Sequence, residues 1–143
     1  MLFGKRERAI RRILIVEDEP LVAFDVEHLL GECGYEVVAT VDNLADAVRA
    51  LAGDETVDLV LSDVKLAGDG DGMDVARAAA ARQVPVLFVT ANCPVEARSL
   101  GIGCLAKPYS DRVLRNALDA VDRKLQGKSV TRLPAGLSLY EEV

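Results

Sequence analysis

Five short apolar runs, each closed by turn-forming or polar residues, constrain this chain more than any other feature: ILIV at 13–16, EVVAT at 36–40, DLVLS at 58–62, VLFVT at 86–90 and GCLA at 103–106. Runs of four or five residues bounded in this way read as strands. Three of them are apolar at nearly every position instead of at alternate ones, so they suit strands covered on both faces, as in a parallel sheet. Helical patterns fill the gaps. Residues 20–33 set Val22, Val26, Leu29, Leu30 and Cys33 on one face and stop at Gly34, a natural left-handed helix end. Asn43 is placed to cap a helix running to about Ala52. The 72–82 stretch is rich in alanine, 94–100 is short, and 110–126 carries Val113, Leu114, Ala117, Leu118, Val121 and Leu125 at helical spacing.

Strand and helix in strict alternation predict an α/β fold, a doubly wound five-stranded parallel sheet with helices on both faces. Half of the 143 residues are apolar, enough for one core. The expected organisation is a basic N-terminal extension (1–11), one domain (12–126) and a C-terminal tail (127–143) with no clear period, which either packs on the body or stays loose. No apolar run approaches a membrane span, and the first residues carry charge where a signal peptide has its apolar stretch, so the expected location is cytoplasmic, with no membrane partner. Of 17 basic side chains five (Lys5, Arg6, Arg8, Arg11, Arg12) fall in residues 1–12, which leaves a body with 12 basic against 22 acidic groups. Such a body does not attract nucleic acid. Cys33, Cys93 and Cys104 are odd in number and follow no C-x-x-C pattern, which argues against a disulfide framework and structural zinc; they are expected as small core or boundary residues.

In a sheet of this kind ligands sit beyond the carboxyl ends of the strands. There the first run ends in Glu17-Asp18-Glu19, the third in Asp63, the fourth in Thr90 and the fifth in Lys107-Pro108. Singly, each has a plain explanation as a cap, a turn residue or a solvated charge. Together, four strands deliver acids, a hydroxyl and an amine to one edge. Carboxylates from the first and third strands suit a hard divalent ion, and Mg²⁺ takes one or two of them while keeping several waters. Beside such an ion an Asp carboxylate can attack phosphorus and become an aspartyl phosphate, while a Lys ammonium and a Thr hydroxyl bind the phosphoryl oxygens.

These residues, as VEDEP (16–20), LVLSD (59–63), FVTA (88–91) and LAKPY (105–109), resemble the response regulator receiver domain of two-component signalling over nearly all of 12–125. The resemblance implies the flavodoxin-like strand order 2-1-3-4-5, an order for which a member of this family is itself a standard example. It also implies Asp63 as phosphoacceptor, Glu17 and Asp18 as metal acids, the Lys65 backbone carbonyl as a further metal ligand, Thr90 as switch hydroxyl and Lys107 as phosphoryl-binding amine, with a cis peptide before Pro108. The chain departs from the family pattern in three places. Glu17 stands where Asp is commoner and is expected to reach the metal through water. Cys104 holds a position where many relatives carry Tyr or Phe. Sixteen residues separate Thr90 from Lys107, so the fourth helix is expected to be shortened.

The function that follows is a phosphoacceptor switch, not an enzyme acting on other molecules. It takes a phosphoryl group from a phosphohistidine on a sensor histidine kinase or histidine phosphotransfer protein and signals to a downstream protein by altered contacts. The alternatives are a receiver-like binding module that is never phosphorylated and a phosphate sink for a shared kinase. A metal-dependent phosphohydrolase needs a second acid two residues after the nucleophile, where this chain has Lys65. AGDGDGMD (67–74) fits neither a G-x-G-x-x-G loop nor a calcium loop and reads as a flexible turn. His28, the one histidine, reads as a helix-surface residue and not as a phosphate carrier.

Overall fold

The computed structural model of the protein describes residues 7–141. Its sheet is built from β1 (Arg12–Val16), β2 (Glu36–Val41), β3 (Leu59–Ser62), β4 (Val86–Thr90), β5 (Gly103–Ala106) and β6 (Leu137–Leu139), in the order β2-β1-β3-β4-β5-β6. The first five are parallel, as expected. The sixth corrects the expected count of five: the tail turns back at Gly136 (φ +82°) and pairs antiparallel with β5.

Alternate residues of each strand enter two separate cores. Ile13, Ile15, Leu59, Leu61, Leu87, Val89 and Leu105 point to one face, covered by α1 (Pro20–Glu32) and α4 (Asp111–Leu125). Leu14, Val16, Val60, Val86, Phe88 and Cys104 point to the other, covered by α2 (Leu44–Ala52), α3 (Gly72–Ala80) and a single 3₁₀ helix, Val95–Ser99. This double covering is why β1, β3, β4 and β5 are buried at nearly every position, whereas β2, at the edge of the sheet, is only partly covered.

The helix ends follow from local chemistry. After α1, Gly34 takes φ +89°, and the Tyr35 amide closes back on the Leu30 carbonyl at 3.0 Å. Asn43 accepts from the Asp46 amide at the start of α2, and Ser110 from the Val113 amide at the start of α4. The 67–74 stretch ends in a capping box, in which Asp71 accepts from the Met73 and Asp74 amides and Asp74 from the Asp71 amide. The shortened fourth helix is the five-residue 3₁₀ helix.

Lys5 and Arg6 of the basic arm lie outside the described residues. Further along the arm, the Arg8 guanidinium lies 4.3 Å from the Tyr35 ring centroid and donates to the Cys33 carbonyl. Buried Asp122 on α4 accepts from the Ala9 and Ile10 amides at 3.1 and 2.9 Å. Ile10 is wholly buried, so this stretch is tied to the body before β1 begins. Burial of the Tyr35 hydroxyl pushes its pKa up to about 12.

The cysteines require a second correction. Cys93, just past β4, and Cys104, at the centre of β5, are joined in a disulfide, with Cα atoms 6.2 Å apart. Cys33 is free and half-buried, the boundary position expected for it.

Gly103 admits β6, since a Cβ there would lie 2.5 Å from the Ser138 carbonyl oxygen. Gly103→Ala should therefore push β6 off its neighbour at a cost of about 1–3 kcal/mol. Amide exchange at Ala106 and Tyr140, which bond to Gly136 and Ile102 across this seam, reads the effect. Faster exchange at both is expected, and unchanged protection would contradict the packing described.

Candidate functional site

The last rungs of the parallel ladder set the positions of the site residues. The Glu17 amide donates to Val41 on β2, the Asp63 amide to Val16 on β1 and the Lys107 amide to Thr90 on β4, each at 2.9 Å. Each residue is thus held one step beyond its strand by the strand beside it, and the three side chains meet at the carboxyl edge.

Glu17, Asp63 and Thr90 are buried. The Lys107 ammonium donates to Glu17 Oε1 at 2.8 Å and to Asp63 Oδ2 at 2.9 Å, joining β1, β3 and β5 through one cation. The remaining oxygens have partners of their own: Asp63 Oδ1 accepts from the Val64 amide at 2.6 Å and more weakly from the Lys65 amide at 3.4 Å, and Glu17 Oε2 accepts from the Glu19 amide. Asp18, the least buried of the three acids, completes a cluster in which one carboxylate oxygen from each residue lies within 4.8 Å of the others. Three carboxylates against one ammonium leave a local charge that suits a divalent cation, and every donor is a hard oxygen, the set Mg²⁺ takes.

Burial is the largest influence on Glu17 and raises its pKa above the ordinary carboxylate value, although the Lys107 hydrogen bond pulls the other way. Burial also works against the Lys107 charge. The hydrogen bonds to Glu17 and Asp63 outweigh it and hold the ammonium pKa above the usual lysine value. Lys107 is thus a fixed positive charge across the physiological range.

The structure brings Glu17, Asp18, Asp63, Thr90 and Lys107 to one edge. The Lys107–Pro108 peptide is cis, as the resemblance implies. Lys65 follows Asp63 with an exposed side chain. Tyr109 turns to the α1–α4 face, away from Cys104, which packs on the opposite face.

Three contributors escaped the sequence reading. The Val64 and Lys65 amides are backbone groups and leave no mark in the residue pattern. Gly72 opens α3 directly against the Asp63 carbonyl: a Cβ there would collide with that oxygen and with the Val64 Cα, and the Gly72 amide donates to the Val64 carbonyl at 2.7 Å. Its only sign was a glycine at the first position of a helical stretch.

The chain is similar to known proteins in sequence and in fold. Over 120 residues the chain is 38% identical to the transcriptional regulatory protein PdtaR of Mycobacterium tuberculosis, covering 79% of this chain and 58% of PdtaR. It is 36% identical over 80 residues to the phyllosphere-induced regulator PhyR of Methylorubrum extorquens, covering 55% of this chain and 30% of PhyR. It thus spans less than two thirds of either relative. Among solved structures, the receiver domain of a sensor histidine kinase from Pseudomonas aeruginosa, with a magnesium ion coordinated in its active-site cleft, superposes with a TM-score of 0.66 at 31% identity, covering 82% of this chain and 98% of that one. The model of the response regulator receiver domain matches residues 13–119, across all five parallel strands and into α4, and on that match the chain belongs to the response regulator receiver domain family.

Proposed function

We propose that this chain acts in the cytoplasm as a response regulator receiver: it accepts a phosphoryl group on Asp63 from a phosphohistidine of a sensor histidine kinase or histidine phosphotransfer protein. The observation that carries this reading is a carboxylate at the strand edge, hydrogen-bonded by an ammonium from a different strand and lying between further acids. In the transfer an Asp63 carboxylate oxygen attacks phosphorus and forms a P–O bond. The P–N bond to the donor imidazole breaks, and the imidazole keeps the electron pair and takes a proton from solvent.

Glu17, Asp18 and Asp63, with the Lys65 backbone carbonyl, would hold Mg²⁺, which neutralises charge between the incoming phosphoryl group and its carboxylate acceptor. Lys107 donates to Asp63 before transfer and to a phosphoryl oxygen after it, so its charge remains at the site while its partner changes. The Thr90 hydroxyl donates to a second phosphoryl oxygen and draws the end of β4 toward the site. The only reaction is self-directed, ending in hydrolysis of the chain's own aspartyl phosphate. Output is a change in contacts with a downstream protein.

A donor protein must bring its phosphohistidine to this edge. The start of α1 lies beside it and presents Leu21 and Phe24, 80% and 67% exposed, with Phe24 stacked on His28 at 6.5 Å. An open apolar surface of this kind, bordered by Asp25, fits a docking helix.

Incubation with acetyl phosphate and Mg²⁺ should add one phosphoryl group by intact mass. Asp63→Asn should abolish the gain, and labelling of that variant at the wild-type rate would contradict the site. Leu21→Arg should slow transfer from a phosphorylated kinase about tenfold, roughly 1.4 kcal/mol, while leaving acetyl phosphate labelling intact. Equal loss in both assays would place the docking surface elsewhere.

A further inference from the structure

The Cys93–Cys104 disulfide has no part in phosphoryl chemistry, yet it lies in the segment through which movement of Thr90 must pass. Cys93 is exposed and stands three residues after Thr90. Cys104 is wholly buried at the centre of β5, paired with Phe88 on β4 and Ser138 on β6. The bond closes a ring that contains the entire 3₁₀ helix. Other contacts hold the same connection: Ala97 is buried in the core that includes Phe88 and Cys104, and Gly101 meets the Phe88 ring so closely that a Cβ there would lie 2.6 Å from it. The chain leaving the proposed switch hydroxyl is therefore fastened covalently to the middle of the neighbouring strand.

We propose that Cys93 and Cys104 are a reversible thiol–disulfide site that sets whether the 91–102 segment can rearrange, oxidation holding it and reduction releasing it. The coupling to phosphorylation rests on the reading of Asp63 as phosphoacceptor; the redox step does not. The asymmetry of the pair defines the exchange. A thiolate of an external dithiol, protein or small molecule, attacks the exposed Cys93 Sγ. The Sγ–Sγ bond breaks, and Cys104 leaves as a thiolate and takes a proton from water. The second donor thiolate then attacks the donor sulfur of the mixed disulfide and frees Cys93, which is protonated in turn. Two electrons pass to the cysteine pair, and the donor ends as a disulfide. In the reducing cytoplasm a disulfide that forms in this way is transient and responsive rather than structural.

The consequence follows from population balance. A phosphoryl group shifts the segment only by as much as it favours one of two available arrangements. The closed ring removes arrangements in which 91–94 moves away from β5, so the oxidised protein accepts the phosphoryl group with a muted response. The reduced protein has both arrangements open.

The full chain, air-oxidised or treated with dithiothreitol, tests this. Alkylation under denaturing conditions should count one thiol in the oxidised protein, Cys33, and three in the reduced one. Reduction alone should speed amide exchange across 91–102 roughly tenfold while the β1 and β3 amides keep their protection. Addition of beryllofluoride and Mg²⁺ should then change exchange in this segment more in the reduced form than in the oxidised form. Cys93→Ser, at an exposed position, should behave as the reduced protein whatever the oxidant. Three thiols in the oxidised protein, or equal exchange in the two forms, would overturn the inference. Failure of Asp63 to take a phosphoryl group in either form would overturn the phosphoacceptor reading and the coupling with it, but not the redox step.

Discussion

Two buried carboxylates from different strands repel each other unless a cation lies between them, and here Lys107 is that cation. Its ammonium bonds to Glu17 and Asp63 at once, and those bonds keep it charged despite burial. The rest of the architecture positions this arrangement. Glu17, Asp63 and Lys107 each sit one residue beyond a strand and are anchored through their own amides to the next strand, so the spacing of the charges is inherited from the register of the sheet. The two packed faces hold that register, because a slip of one residue would exchange the cores beneath them. Gly72 lets α3 begin against the Asp63 backbone, which fixes that residue from behind.

The same arrangement suits a switch. On the proposed reading, a phosphoryl group arriving at Asp63 would give Lys107 a new partner and draw Thr90 toward the site, and the chain that leaves Thr90 enters the part of the fold that departs most from the family pattern. There the chain has a five-residue 3₁₀ helix, a disulfide-bonded cysteine at position 104, and a tail that adds a strand to β5. The Cys93–Cys104 disulfide closes a ring of twelve residues around that connection.

Much of this was legible in the residues. β1, β3, β4 and β5 declared themselves because both of their faces are buried, and the candidate site because polar residues interrupt apolar runs at the same end each time; Asp63, Thr90 and Lys107 are such interruptions. Strand order came from family resemblance, since alternation alone does not specify it. β6 was not legible. Leu137, Ser138 and Leu139 form too short a run to carry a period, and they become a strand only because β5 offers an unpaired edge. Nor was the Cys93–Cys104 pair, whose meeting depends on the 3₁₀ helix folding the chain back, a long-range fact that spacing does not encode. Gly72 had the look of flexibility and has the role of close approach. The Asp63 side-chain environment was legible in its charges but not in the Val64 and Lys65 amides, which any residue type supplies.

Of the two carboxylates held by Lys107, Asp63 is the one proposed to become phosphorylated. Borohydride reduces an aspartyl phosphate to homoserine, so treating labelled protein with it and mapping the peptides by mass reads the acceptor directly. The account predicts a homoserine at position 63 after labelling with acetyl phosphate and Mg²⁺, and none when Mg²⁺ is withheld. Homoserine at position 18 or at any other aspartate, or its absence from a labelled protein, would contradict it.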